Sequence, residues 1–199
     1  MVAELPNHDA ALKETCEKSE TVYTGSFLTL KRDTVLLPDG KRATREFLEH
    51  PGAVMILPLF DDGRVLLENQ YRYPVARVMV EFPAGKLDPH EDALTCAQRE
   101  LQEETGYTAR EFAWLTRIHP VISYSTESID LYLARGLTAG KRRLDEGEFL
   151  ELFTATLDDL LEWIRTGQIT DVKTIIGTFW LEKVLAGAWP LEETRRGQA

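Results

Sequence analysis

The most informative segment of the chain is Gly85-Lys-Leu-Asp-Pro-His-Glu91-Asp-Ala-Leu-Thr-Cys-Ala-Gln-Arg99-Glu100-Leu101-Gln-Glu103-Glu104-Thr-Gly106-Tyr107. Apolar residues recur in it at helical spacing, which predicts a helix from Asp88 to Thr105 with one buried stripe. Asp88 together with Glu91 is typical of a cap at the start of a helix, and Gly106 is typical of its end.

This helix presents glutamates on neighbouring turns. Glu100 and Glu104 lie four residues apart on one face, with Glu103 one step aside. Like charges at this spacing cost roughly 0.2–0.5 kcal/mol per pair, and a bound cation would reverse that sign. Because Mg²⁺ takes carboxylate oxygens and bridges them to substrate phosphates, the face suits a metal site. Arg99 is placed to pair with Glu103 and hold that carboxylate in position.

An acidic helix face is more often plain solvated surface, so the spacing has to decide between the two interpretations. From Gly85 to Tyr107 the chain resembles the Nudix box, Gx5Ex7REUxEExGU, at every specified position. The resemblance implies a Nudix α/β/α sandwich with a mixed sheet, of the α+β or α/β class. It also implies a Mg²⁺ centre, with Mn²⁺ as the other candidate. The implied ligands are the carbonyl of Ala84 and the side chains of Glu100 and Glu104. Glu103 is implied to be a catalytic residue that ligates or supports the metal. Glu91 either approaches a metal or only caps the helix.

Two segments before the box resemble the ADP-ribose pyrophosphatase subfamily. They are Asn69-Gln-Tyr-Arg72-Tyr-Pro74 and Glu81-Phe-Pro-Ala-Gly85, similar to the subfamily's QYR-x-P and E-x-PAG. The resemblance implies that Arg72, Glu81 and Arg45 bind substrate. A guanidinium fork suits phosphate, although an exposed arginine at a strand end is the plainer interpretation of Arg72.

An acidic segment after the box, Asp145-Glu146-Gly147-Glu148-Phe149-Leu150-Glu151, resembles the loop that supplies the subfamily's catalytic glutamate. The resemblance implies that Glu146 is the general base and Glu148 a metal-associated acid. Loops shift by one or two positions, so the two roles could exchange. An acidic surface turn is the alternative.

The activity implied by the resemblance is Mg²⁺-dependent hydrolysis of the pyrophosphate of a nucleoside diphosphate sugar. ADP-ribose, cut to AMP and ribose 5-phosphate, is the first choice. The subfamily's S-P-G after a downstream proline is replaced by Val121-Ile122-Ser123 after Pro120, which keeps GDP-mannose or another nucleotide sugar open. A Nudix-fold sensor that binds without hydrolysis is the other alternative, but it would have lost box carboxylates, and none is lost.

The order of elements predicts a small N-terminal antiparallel sheet ahead of the Nudix fold. Alternation from Thr21 to Phe47 is broken by a turn at Pro38-Asp39-Gly40, which predicts strands around one hairpin. We expect residues 1–47 to form a subdomain that contributes to a homodimer, and residues 48–199 to form the Nudix hydrolase domain. The other predicted elements are a hairpin of strands 53–60 and 64–70, strand and loop over 111–133, a strand at 148–153, and helices at about 157–166 and 171–185.

The composition indicates which class of partner and which cellular compartment to expect. The 33 acidic against 23 basic residues give a net charge of −10, which argues against nucleic acid and favours a small-molecule substrate. The first twenty residues lack the apolar run of a signal peptide, and no stretch reaches transmembrane length, so no membrane partner is expected. Two cysteines cannot form a disulfide framework. These features predict a cytoplasmic protein.

Overall fold

The computed structural model of the protein describes residues 9–144 and 146–191. Residues 1–8, on which part of the signal-peptide expectation rests, as well as Asp145 of the acidic loop and residues 192–199, lie outside the described part. The described chain forms two compact units. The first contains the residues up to His50 with Val121–Glu127, and the second contains Pro51–Pro120 and the residues from Ser128 onward. No helix in the described part is long and apolar enough to span a membrane.

The first unit contains a three-stranded antiparallel sheet of β1 (Thr15–Thr24), β2 (Thr29–Leu36) and β3 (Arg42–Glu49), in that order, which confirms the predicted N-terminal sheet. The turn predicted at Pro38-Asp39-Gly40 is present, since the Leu37 amide donates to the Lys41 carbonyl at 2.8 Å. A second turn at residues 25–28 joins β1 to β2, so the predicted single hairpin is incomplete. The short helix α1 (Asp9–Leu12) precedes β1.

The second unit contains two sheets and three longer helices. One sheet has the order β7-β4-β9-β8, and the other has the order β10-β5-β6. β4 runs parallel to β9 and antiparallel to β7, so this sheet is mixed. The bounds are β4 (Ala53–Pro58), β5 (Val65–Arg72), a 3₁₀ turn (Tyr73–Val75), β6 (Arg77–Glu81), β7 (Ala84–Lys86), α2 (Ala93–Thr105), β8 (Tyr107–Ile118), β9 (Ile129–Ala139), β10 (Leu150–Ala155), α3 (Leu157–Arg165) and α4 (Val172–Leu185).

Strand β4 explains the layers, because every one of its residues is buried. Successive side chains of a strand point to opposite faces. Val54 and Ile56 pack in the core that contains residues of α2. Met55 and Leu57 pack in the core that contains residues of α3 and α4. Helices therefore cover both faces, as the predicted α/β/α arrangement requires.

The predicted hairpin of residues 53–60 and 64–70 is wrong in its pairing. Its turn forms, with the Phe60 amide donating to Arg64 at 2.9 Å, but Leu59 and Val65 make only an isolated bridge. Beyond that bridge the strands part into different sheets. β4 finds a longer partner in β9, and β5 pairs with β6 and β10. Alternation indicates strands but does not identify their partners.

The predicted start of the main helix is also wrong. α2 begins after Asp92, whose carboxylate accepts the Leu94 and Thr95 amides, both at 3.1 Å. His90 has a positive φ of 67°, a left-handed conformation that interrupts a helix from Asp88. The predicted end is confirmed, because Gly106 caps the helix with a φ of 77°.

The two C-terminal helices confirm the prediction and carry residues toward the site. Asp171 caps α4 by accepting the Thr174 amide at 3.0 Å. At Gly177 a Cβ would lie 2.6 Å from the Met55 side chain, so a glycine lets α4 approach the sheet closely. This packing fixes the first turn of α4 beside β6.

Candidate active site

The site lies where β5, β6, β7 and α2 of the second unit come together. Antiparallel pairing puts Glu68 of β5 directly opposite Glu81 of β6. The short strand β7 begins at Ala84, and its amide donates to Glu104 of α2 at 3.1 Å. Residues far apart in the sequence thus form one acidic region with an arginine beside it.

Arg72 and Glu81 form a bidentate ion pair. Arg72 Nε and Nη2 donate to Glu81 Oε1 and Oε2, both at 2.7 Å. Lys173 donates to the same carboxylate and also to Asp171 at 3.0 Å. Burial would raise the pKa of Glu81, but Arg72 and Lys173 outweigh burial and hold the pKa below its ordinary value. Glu81 is 2% exposed and remains ionised between two cations.

Arg99 organises the outer side of α2. It donates to Glu91 at 2.9 and 2.8 Å, to Glu100 at 2.7 Å and to Glu103 at 3.0 Å. The contact with Glu103 is the one predicted from their spacing. The bond from Arg99 holds the pKa of Glu91 at about 2. Glu91 also accepts the Asp88 amide at 3.0 Å, so it stabilises the turn that precedes the helix.

Glu104 and Glu100 face inward. Glu104 is 3% exposed, and burial raises its pKa well above the ordinary value, with further effect from the charges of Glu68, Glu100 and Glu148. Burial also raises the pKa of Glu100. At Gly85 a Cβ would lie 1.9 Å from the Glu100 carboxyl carbon, so the glycine makes room for this carboxylate.

Sequence reasoning missed Glu68. Its side chain is completely buried, and neither carboxylate oxygen has a hydrogen-bond partner among the described residues. Burial, followed by the charge of Glu81, raises its pKa to about 8. Strand alternation puts Glu68, Gln70 and Arg72 on one face of β5, but it does not show that folding buries Glu68.

The acidic loop reaches this region through Glu148. Glu148 accepts a hydrogen bond from Gln70 at 3.3 Å, and its charge raises the pKa of both Glu100 and Glu104. Glu146 lies exposed in the turn before β10. Arg45 lies on β3 of the first unit, where it pairs with Glu14 at 2.9 and 2.5 Å.

The donor chemistry of the acidic region fits a hard divalent cation. Among the described residues no three acidic, histidine or cysteine side chains already stand in a metal-holding arrangement. However, the inward-facing groups are carboxylates, Glu68 has no partner, and Glu104 receives a single amide. Oxygen donors of this kind bind Mg²⁺ or Mn²⁺, and a cation would relieve their mutual repulsion.

Comparison with known proteins identifies the family. Residues 49–174 match the family model of the NUDIX domain. The chain belongs to the Nudix family. Residues 14–48 of this Nudix protein match a second model, the nucleoside diphosphate sugar hydrolase N-terminal domain. Nudix hydrolases generally use divalent metal ions.

Relatives of this Nudix protein support an enzymatic role. It is 38% identical over 172 residues to a methanol dehydrogenase activator of Bacillus methanolicus, covering 85% of this chain and 93% of the relative. It is 37% identical over 174 residues to an ADP-ribose pyrophosphatase of Bacillus subtilis, covering 86% and 94%. A crystal structure of an ADP compounds hydrolase superposes with a TM-score of 0.79 at 25% identity, covering 88% and 95%. The chain is a Nudix pyrophosphohydrolase.

Proposed function

We propose that this enzyme hydrolyses the pyrophosphate of a nucleoside diphosphate sugar with Mg²⁺, and that ADP-ribose is its preferred substrate. The observation that carries the proposal is the convergence of inward-facing carboxylates beside Arg72. The match of residues 14–48 to a nucleoside diphosphate sugar hydrolase model and the name of the Bacillus subtilis relative support the substrate class. The products would be AMP and ribose 5-phosphate.

The proposed metal ligands are the Ala84 carbonyl, Glu100, Glu104 and Glu148, with Glu103 as a supporting catalytic residue and Mn²⁺ as an alternative to Mg²⁺. When bound, the divalent ions would neutralise the diphosphate and lower the pKa of a bound water. Arg99 donates hydrogen bonds to both Glu103 and Glu100, and so holds Glu103 in position. Holding carboxylates in this way orients the ligands of a metal.

Arg72 is the proposed phosphate-binding residue. Its bonds to Glu81 use Nε and Nη2, which leaves Nη1 for a phosphate oxygen. Its side chain is 40% exposed, so a ligand can reach it. Glu81 is proposed to act through Arg72, since its carboxylate is buried between Arg72 and Lys173. Arg45 is also a proposed substrate-binding residue.

A glutamate of the acidic loop is the proposed general base. It removes a proton from water as the water oxygen bonds to phosphorus and the bridging P–O bond breaks, with the leaving phosphate taking the bridging oxygen. The resemblance favours Glu146 as base and Glu148 as a metal ligand. The hydrogen bond from Gln70 to Glu148 supports the alternative in which Glu148 is the base and Glu146 is the metal ligand.

The base assignment is tested by Glu146→Gln and Glu148→Gln, with Glu151→Gln as control on the exposed side of β10. The variant of the base should lose kcat by about 10² to 10⁴-fold, as removal of general base catalysis does. If Glu146 is the base, Glu146→Gln should lose kcat at every Mg²⁺ concentration, whereas Glu148→Gln should recover activity as Mg²⁺ is raised. The opposite pattern would show that the two roles are exchanged. Wild-type kcat in both variants would show that the acidic loop does not supply the general base.

Substrate choice is tested with a panel of ADP-ribose, GDP-mannose, ADP-glucose, NADH and capped RNA, compared by kcat/KM in Mg²⁺. The control variant is Glu104→Gln, which should be inactive and folded. The segment Val121-Ile122-Ser123 favours the second candidate, another nucleotide sugar, because it departs from the subfamily pattern. No turnover of any substrate, together with Mg²⁺ binding, would contradict the hydrolase proposal and indicate a sensor.

We also propose a cytoplasmic homodimer in which residues 1–47 contribute to the interface. The N-terminal unit carries exposed apolar side chains, among them Tyr23 of β1 at 61% exposure and Phe27 of the turn after β1 at 55%. Exposed apolar groups near one another favour a protein interface. Light scattering on the full chain should give twice the mass of 22.6 kDa, and Tyr23→Glu should shift the measured mass toward that of the monomer.

A further inference from the structure

We propose that Glu68 is a further carboxylate ligand of the divalent metal centre, entering from β5 opposite the glutamates of α2. The inference rests on the proposed function, because it requires that the enzyme bind a divalent cation. It adds a ligand that lies outside the Nudix box and outside the acidic loop.

Glu68 has no hydrogen-bond partner among the described residues. It is completely buried, and both of its oxygens lack a hydrogen bond in the described structure. Proteins rarely leave a buried carboxylate without a partner, because the loss of water is then uncompensated. Such a group implies a partner that the protein chain does not supply.

The neighbouring cations do not fill that role. Arg72 and Lys173 lie close enough for their charges to act on Glu68, but both donate to Glu81, the residue opposite it. Arg99 is committed to Glu91, Glu100 and Glu103. Within the described structure, therefore, no basic side chain bonds to Glu68.

Glu68 and Glu104 approach the metal centre from different secondary-structure elements. The charge of Glu68 is among those that raise the pKa of Glu104, so the two side chains lie near each other. Glu104 belongs to α2 and Glu68 to β5, so the two buried carboxylates approach each other from different elements. Two like charges in a buried space repel unless a cation lies between them. Mg²⁺ and Mn²⁺ accept oxygen ligands from separate elements, which fits this pair.

The strand face supplies a further link. Gln70 follows Glu68 on the same face of β5 and donates to Glu148 of the acidic loop. Three carboxylates from a strand, a helix and a loop thereby surround one region. A cation held there would join the box helix to the acidic loop through β5.

The experiment measures Mn²⁺ binding to the full-length protein by calorimetry and by electron paramagnetic resonance of the bound ion. The variant is Glu68→Gln, the control is Glu151→Gln on the neighbouring β10, and Glu104→Gln reports on the centre itself. We expect Glu68→Gln to lose one ion or to weaken Mn²⁺ binding at least about tenfold, as loss of a supporting group does. Glu151→Gln should bind as the wild type does.

Thermal unfolding provides a readout that does not depend on turnover. In EDTA, Glu68→Gln should unfold at the wild-type temperature or above it, because a buried carboxyl group without a hydrogen-bond partner is replaced by a neutral amide of the same shape. With Mn²⁺ it should gain less stability than the wild type gains. If Glu68→Gln does not fold, Glu68→Met replaces the carboxylate with an apolar side chain of similar length in the same measurements.

The outcomes separate the two proposals. Wild-type Mn²⁺ affinity and stoichiometry in Glu68→Gln, together with loss in Glu104→Gln, would overturn the role of Glu68 and leave the proposed function standing. No Mn²⁺ or Mg²⁺ binding by the wild type would overturn both. The result expected of a ligand is weakened Mn²⁺ binding in Glu68→Gln with an unfolding temperature in EDTA at or above that of the wild type. Weakened binding with a lower unfolding temperature in EDTA, in both Glu68→Gln and Glu68→Met, would overturn the role of Glu68 as a ligand.

Discussion

Arg72 of β5 and Glu81 of β6 share two parallel N–H···O bonds of 2.7 Å, and Glu81 is buried beneath the guanidinium. A fork of this kind fixes the plane of the arginine as well as its position. The site therefore presents a phosphate-binding group whose orientation is set by the sheet.

Replacing Arg72 with lysine should lower kcat/KM by roughly tenfold to a hundredfold, because a hydrogen bond to a charged group contributes about 1.5–3 kcal/mol. An ammonium keeps the charge but loses the fork. Steady-state kinetics on ADP-ribose measure the effect, with Arg110→Lys at an exposed position of β8 as the control. Equal kcat/KM in the two variants would show that the fork does not contribute.

The Gly85→Ala variant should fold but require more Mg²⁺ for activity. The new Cβ would meet the Glu100 carboxylate, which lies at the end of a flexible side chain and turns aside. We expect the Mg²⁺ concentration for half-maximal activity to rise by about tenfold or more, because the position of a metal ligand changes. A Mg²⁺ titration of kcat measures this, and circular dichroism checks the fold. An unchanged titration would mean that Glu100 is not a ligand.

Glu91→Gln should destabilise the protein in a manner that depends on pH. The pKa of Glu91 is about 2 in the fold and 4.5 ordinarily. A lowered pKa adds stability above pH 4.5, and this stability is lost as the pH falls toward 2. The difference in unfolding free energy between wild type and variant should therefore be largest above pH 5 and shrink below pH 4.5.

Urea denaturation at a series of pH values measures that difference. The control is Glu111→Gln, a carboxylate paired with its exposed neighbour Arg110. It should show little effect at any pH, because exposed pairs contribute little to stability. A difference for Glu91→Gln that stays constant from pH 7 to pH 3 would contradict the assigned ion pair with Arg99.

Asp171→Ala should lower both stability and activity, because Asp171 has two partners. It caps α4 through Thr174, and it also holds Lys173 at 3.0 Å. Loss of the cap should cost about 1–2 kcal/mol, and loosening Lys173 should disturb Glu81 and hence Arg72.

The matched control for this variant is Thr156→Ala, which removes the capping box of α3 and has no contact with the buried ion pairs. It should lower the melting temperature by a similar amount and leave kcat/KM unchanged. Differential scanning fluorimetry and steady-state kinetics compare the two. If both variants keep wild-type kcat/KM, Asp171 acts on stability alone.

The acidic face of α2 could be predicted from the sequence, because residues four apart in a helix share a face. It also indicated Arg72, Glu81 and the acidic loop through their resemblance to relatives. These signals are local, since they depend on spacing along one element or on a short motif. The family match and the mixed sheet are consistent with them.

Tertiary structure alone decided which strands pair, where α2 begins and what surrounds Glu68. Alternation cannot choose between β5 and β9 as the partner of β4, because pairing depends on which buried faces fit. Lys173 joins Glu81 only because α4 packs beside β6, 92 positions away in the chain. Glu68 looks like one more strand residue until the sheet and α2 bury it, because the cost of an unpaired charge arises only when folding removes water.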